Sequence, residues 1–203
     1  EIKEKQPNIK SVVFVGCGAS KADLYPAKYF LDGNAKKLRV SHYTANEFNY
    51  ATPEAVDDTA IVISASLGGT TPETVEANAR AKAKGAHVIS LTRSIDSPLT
   101  KDADYVIYHR FAESYGAKLE KMGYCLELAM EILEQFEGYD HYEDMKEGFE
   151  KIYNLADNAS ASAKLYAKKF AEDYKDAPVI YVMSSGATHE VAYATSICLM
   201  MEM

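Results

Sequence analysis

The residues from 64 to 74 read Ser64-Ala65-Ser66-Leu67-Gly68-Gly69-Thr70-Thr71-Pro72-Glu73-Thr74. Four hydroxyl side chains and two glycines crowd the span from Ser64 to Thr71. Small alcohols and unhindered backbone amides suit the binding of an anion, and a phosphate ester is the natural guest. The apolar run Thr59-Ala60-Ile61-Val62-Ile63 precedes this stretch and predicts a strand buried on both faces. From Pro72 to Lys84 the pattern predicts a helix, with Pro72 well placed in the first turn, where its missing N–H goes unneeded. Helix N-termini present free N–H groups and a partial positive charge. An ordinary strand-to-helix loop also favours Gly and Thr, for its turn and its cap. One turn and one cap need fewer such residues than stand here, and the surplus points to binding.

The elements that must position this loop can be read along the chain. Ser11-Val12-Val13-Phe14-Val15 predicts the first strand, followed by Gly16-Cys17-Gly18-Ala19-Ser20 and a helix over 21–31. Residues 38–43 predict a second strand and 46–50 a short helical turn capped by Asn46. Residues 86–91 and 104–108 predict the fourth and fifth strands, with Gly85 closing the preceding helix and Asp96-Ser97-Pro98 marking a turn. Strands alternating with helices predict an α/β fold, a three-layer αβα sandwich on a five-stranded parallel sheet. Ligands of such sheets bind beyond the carboxyl ends of the strands, the edge at which Gly16–Ser20 and Ser64–Thr74 both fall.

The second half changes character. Leu119, Met122, Leu126, Ala129, Leu133 and Phe136 form one apolar stripe, and Phe149, Ile152, Ala156, Ala159, Ala163, Tyr166 and Phe170 form another. They predict a helical hairpin leading away from the sheet. Then Pro178–Met183 predicts a strand, Ser184–Thr188 a loop, and the rest a helix running to Met203, repeating the plan of the first unit. The expected division is a first domain over 1–115, a helical connector over 116–176, and the opening of a second, similar domain over 177–203.

Composition bounds the function. The 203 residues carry a net charge of -8, with 47% hydrophobic and 26% charged residues, as in a soluble globular protein. The acidic balance argues against nucleic acid, whose phosphates require Lys and Arg. It also means that local amides and dipoles, rather than the overall field, must hold an anionic ligand. Three cysteines without C-x-x-C spacing suggest neither a disulfide framework nor a zinc site, and fit a reducing cytoplasm. Neither a membrane-length apolar run nor a signal peptide is seen, so no membrane partner is expected. Fifteen tyrosines and no tryptophan suggest aromatic filling of a core and of a dimer interface. A dinucleotide site is disfavoured: Gly16-Cys17-Gly18 opens like G-x-G-x-x-G, but Lys21 holds the third glycine position and the second strand ends in His42-Tyr43 without an acid for the ribose.

The motifs together resemble the SIS-domain phosphosugar isomerases and binders. The matching pieces are Gly16-Cys17-Gly18-Ala19-Ser20, Asn46-Glu47-Phe48, Ser64-x-Ser66 with Gly69-x-Thr71-x-Glu73-Thr74, and Asp96-Ser97-Pro98-Leu99 with Ala103-Asp104. They run in family order across most of residues 11–108. The longer Ser66–Thr71 loop and the ending Leu199-Met200-Met201-Glu202 are more similar to the branch that deglycates fructosamine 6-phosphates, fructoselysine 6-phosphate among them, than to the isomerase half of glucosamine 6-phosphate synthase.

This resemblance implies tandem αβα domains, usually dimeric, that hold a sugar phosphate without a cofactor or metal. By the match, Ser64, Ser66, Gly69 and Thr71 grip the phosphate, and Gly18, Ala19 and Ser20 contribute from the first loop. Glu47 and His189 stand as additional candidates, Glu47 also being readable as a helix-capping carboxylate. The implied chemistry is proton transfer on an open-chain sugar. An enaminol forms from the ketosamine, and reprotonation gives an imine that water splits into glucose 6-phosphate and amine. The family's catalytic Glu and His are expected beyond Met203, so the resemblance carries binding here and no catalytic residue. A non-catalytic sugar-phosphate sensor would use the same loops, and a synthase-like isomerase is the other alternative.

Overall fold

The structure, a computed structural model, describes residues 1–202. Five strands form one all-parallel sheet in the order β2-β1-β3-β4-β5: β1 (Ser11–Gly16), β2 (Arg39–Thr44), β3 (Ala60–Ala65), β4 (His87–Thr92) and β5 (Tyr105–Tyr108). Every residue of β1 and β3 is buried, as their near-continuous apolar runs require of central strands covered on both sides. In register, Gly16 at the end of β1 stands beside Thr44 of β2 and Ala65 of β3, so three loops leave the sheet at one level.

The helices are α1 (Ile2–Lys5), α2 (Gly18–Asn34), α3 (Ala45–Tyr50), α4 (Pro72–Ala83), α5 (Tyr115–Phe136), α6 (Tyr142–Tyr174) and α7 (His189–Tyr193). On one sheet face Val12, Phe14, Ile61, Ile63, Ile89 and Leu91 pack with Leu24, Ala27 and Leu31 of α2 and with Cys125, Ala129, Ile132 and Leu133 of α5. On the other, Val13, Val15, Val62 and Val88 meet Ala45 and Phe48 of α3 and Ala77 and Ala81 of α4. The predicted three-layer α/β sandwich is the architecture observed.

Several local expectations are corrected. Helix α2 begins at Gly18, three residues before its predicted start, because Gly18 takes a positive φ of 51° on entering the first turn and Cys17 is the N-cap. The cap of α3 is Thr44 rather than Asn46: the Thr44 hydroxyl accepts from Glu47 N, and the Glu47 carboxylate accepts from Thr44 N, a reciprocal capping box. Helix α5 does not lead away from the sheet but covers one face of it, and its buried stripe is Ala117, Cys125, Ala129, Ile132 and Leu133. Only α6 projects, and Leu155, Leu165, Tyr166 and Phe170 along it are exposed. Among the described residues Pro178–Met183 forms no strand, since no neighbouring strand pairs with it. The last helix is α7 followed by a π-helical stretch, Ala194–Met200.

Candidate functional site

Strand order fixes where a ligand can reach the backbone. The connection from β1 runs to β2 on one side, while β3, β4 and β5 follow on the other, so the chain reverses its winding direction between β1 and β3. The carboxyl edge between two such strands, where their loops diverge, is where open parallel sheets receive ligands. The loops that flank it are Gly16–Ser20 and Ser66–Thr71, the two stretches richest in small and hydroxyl residues.

Both loops lead into helix N-termini. Neither Cys17 at α2 nor Thr71 at α4 bonds the first turn with its side chain, whereas Thr44 at α3 and Ser114 at α5 do so. Of the helices packed on the sheet, α2 and α4 therefore keep the positive ends of their dipoles uncapped by their own side chains, and α3 and α5 do not.

The second loop is pinned from below. Ser66 N donates to Leu91 O, Arg93 N to Leu67 O, and Leu99 N to Gly69 O, at 3.0 to 3.1 Å. Gly69 adopts a φ of 64°, and a Cβ there would lie 2.0 Å from Ser97 Oγ and 3.0 Å from Thr92 Oγ1. Only glycine meets both conditions, and this contact gives the Asp96-Ser97-Pro98 turn its structural role. Asn78 of α4 donates to Ser90 Oγ (2.8 Å) and to Leu99 O (3.0 Å), tying that turn to β4.

The predicted residues separate into three groups. Ser66 Oγ and Thr71 Oγ1 lie 3.0 Å apart across the loop. One hydroxyl proton makes this bond and the other is left to point elsewhere, so the pair can donate to a bound anion. Gly18, Ala19 and Ser20 form the first turn of α2 on the facing side. Ser64 is not brought to the rim: its side chain is buried and its Oγ lies 2.9 Å from Ser90 Oγ, inside the Ser64–Ser90–Asn78 network. Ser64 lies within β3 and is held by Ser90, whereas Ser66, also buried at 4% exposure, lies past the strand's end and meets Thr71.

Glu47 is occupied as the capping partner of Thr44, and hydrogen bonds from the Thr44 backbone and hydroxyl hold its carboxyl below the usual range. His189 is exposed, its ring centroid 5.6 Å from that of Tyr25 on α2. Its neighbour Glu190 is buried and bonded to Lys21 Nζ at 2.8 Å, joining α7 to the first turns of α2. His42, within β2, donates from Nε2 to Lys21 O (2.9 Å). Burial, and then the Lys21 charge, push its pKa down to about 4.

Sequence reasoning missed one side chain at this edge. Lys121 of α5 is 4% exposed, and its Nζ donates to Ser20 Oγ at 2.9 Å and pairs with Asp23 Oδ2 at 2.8 Å. A signal existed: Lys121 stands four residues from Ala117 and from Cys125, in the row that α5 buries.

Comparison with known proteins accords with this geometry. Residues 8–123 match the profile of the SIS domain. The fructosamine deglycase FrlB of Bacillus subtilis (strain 168) is 36% identical over 199 residues, 98% of this chain and 61% of that protein. The fructoselysine 6-phosphate deglycase of Escherichia coli (strain K12) is 24% identical over 96% of this chain and 56% of its own length. Among solved structures, a Salmonella typhimurium LT2 protein assigned as a phosphosugar isomerase superposes with a TM-score of 0.94 at 41% identity, over 98% of this chain and 60% of that one. This chain thus spans about three fifths of the length of these relatives. With a parallel sheet wound in the order 2-1-3-4-5, the family's motifs at its carboxyl edge and a profile match over more than half its length, the chain belongs to the SIS domain family.

Proposed function

We propose that this chain forms the phosphosugar-binding part of a deglycase that converts a 6-phosphorylated fructosamine to glucose 6-phosphate and an amine. One observation carries the reading: the two helices whose N-termini flank the β1/β3 crevice, α2 and α4, lack side-chain caps, and a hydroxyl pair, Ser66 and Thr71, stands at the mouth of one of them. The amides and hydroxyls supply donors at two helix N-termini, which suits a phosphate dianion in an acidic protein. The phosphate grip comprises Ser66, Gly69 and Thr71 on one side and Gly18, Ala19 and Ser20 on the other. Ser64 supports the loop from inside. The fructosamine deglycase name carried by the Bacillus subtilis relative favours this substrate class over a synthase-type isomerase, for which the Clostridium tetani glutamine–fructose-6-phosphate aminotransferase offers 27% identity.

The chemistry in this reading is proton transfer along an open-chain ketosamine, followed by hydrolysis of the resulting imine. The phosphate grip contributes by fixing one end of a flexible chain, so that C1 and C2 meet the proton-moving groups in one orientation. The test uses the full-length protein: it releases glucose 6-phosphate from a 6-phosphorylated fructosamine and leaves the unphosphorylated sugar at least tenfold less affected. Equal rates on both substrates would overturn the assignment. A sensor would bind the phosphorylated sugar without turning it over.

A further inference from the structure

Helix α5 buries the row Ala117, Lys121, Cys125, Ala129 and Leu133, one residue per turn, against the sheet and α2. Four members of this row are small or apolar, as the interior requires. The fifth is a lysine, and its burial is costly unless something repays it. Its two bonds show where it acts. Nζ donates to Ser20 Oγ at 2.9 Å, in the first turn of α2, and pairs with Asp23 Oδ2 at 2.8 Å, one turn further along. Asp23 is 28% exposed, so it could be solvated without the lysine, and nothing else in that turn requires a cation.

We propose that Lys121 is a positioning residue for the anion site. An ammonium carries only donors, so Ser20 Oγ must accept from it. That interaction engages a lone pair of Ser20 and sets the hydroxyl rotor so that the Ser20 proton points away from Lys121, toward the crevice, as a donor to phosphate. The cation also sits beneath the N-terminus of α2, where it adds to the positive end of the helix dipole without entering the ligand's space. Lys121 thus reads the phosphate through Ser20, while the amides and the Ser66–Thr71 pair read it directly. The inference rests on the phosphate site proposed above.

The experiment compares Lys121→Met and Lys121→Gln with the unmodified full-length protein, measuring kcat and KM on a 6-phosphorylated fructosamine and glucose 6-phosphate binding by calorimetry. Methionine fits the buried row and removes the charge; glutamine removes the charge but keeps a donor for Ser20, so that failure of one variant to fold still leaves the other. Lys121→Met is expected to raise KM and the Kd for glucose 6-phosphate about fivefold or more, with kcat within about twofold. Lys121→Gln should fall between that variant and the unmodified protein. In the Lys121→Met background, Ser20→Ala should add little further loss, because both changes remove the same directed proton. Unchanged KM in both variants, or full additivity with Ser20→Ala, would overturn the role of Lys121. Ser66→Ala separates the two levels of argument. If it raises KM while the Lys121 variants do not, this inference alone fails; if it also leaves KM unchanged, the phosphate site fails with it.

Discussion

Replacing Ser66 with Ala removes one of the two hydroxyls that face each other across the loop at 3.0 Å and frees Thr71 to turn. A hydrogen bond to a charged ligand is worth roughly 1.5–3 kcal/mol. Ser66→Ala should therefore raise KM for a 6-phosphorylated fructosamine by about tenfold or more in steady-state assays, with little change in Tm. Gly69 responds in the opposite way. An added methyl would occupy the position of Ser97 Oγ, 2.0 Å away, on a backbone at positive φ. Gly69→Ala should cost about 2–4 kcal/mol of stability in urea unfolding, from the left-handed backbone and the forced repacking together. Ser66 and Gly69 stand three positions apart, yet in the proposed site the first is expected to register in ligand affinity and the second in stability. Ser64 shows the same division. Its type and place in the motif match those of Ser66, but it lies inside β3, where its hydroxyl is taken by Ser90 in a network with Asn78.

At the scale of elements, the five strands were legible to within two residues at their ends, the central β1 and β3 because buried parallel strands write themselves as apolar runs and the others from their place between turn signals. The helix starts were less legible. Asn46 is a common cap, but Thr44 won because Glu47 stands three residues after it and completes the reciprocal pair. Thr44→Ala should accordingly cost about 1 kcal/mol, read as a lower urea midpoint with an unchanged m-value. For α5 the apolar spacing marks the helix and places Ala129 and Leu133 on its buried face, but the first half of the expected stripe misses that face. Leu119, Met122 and Leu126 are partly buried, whereas the tightest contacts run through Ala117, Lys121 and Cys125. A charged residue in a buried row defeats any reading that scores hydrophobicity alone. The uncapped N-termini of α2 and α4 were half legible, since sequence showed the loops while only the structure showed that no side chain fills them.

For the whole molecule, acidity sets a second constraint. His42 is half-buried between β2 and α2, and desolvation and the Lys21 charge lower its pKa from an ordinary value near 6.5 to about 4. The unfolded chain therefore binds a proton that the folded chain refuses throughout that interval. The resulting stability is complete above about pH 6.5 and is lost progressively as pH falls toward 4, by up to about 3 kcal/mol. Urea midpoints of the full-length protein should fall across this window, and His42→Phe should flatten the decline. His109, neutral and buried at the end of β5, is shifted down by burial as well and steepens the same trend.

The stretch Pro178–Met183, outside any helix or strand, has consequences for neighbours. Val179, Tyr181 and Met183 are exposed on it, and no ladder claims its main-chain groups among the described residues. Water must satisfy those amides and carbonyls one by one, at no gain in cooperativity. Any passing polypeptide able to run alongside would trade that hydration for paired backbone and sheltered side chains in a single step, and so this ribbon is the part of the molecule readiest to be stitched into a second sheet.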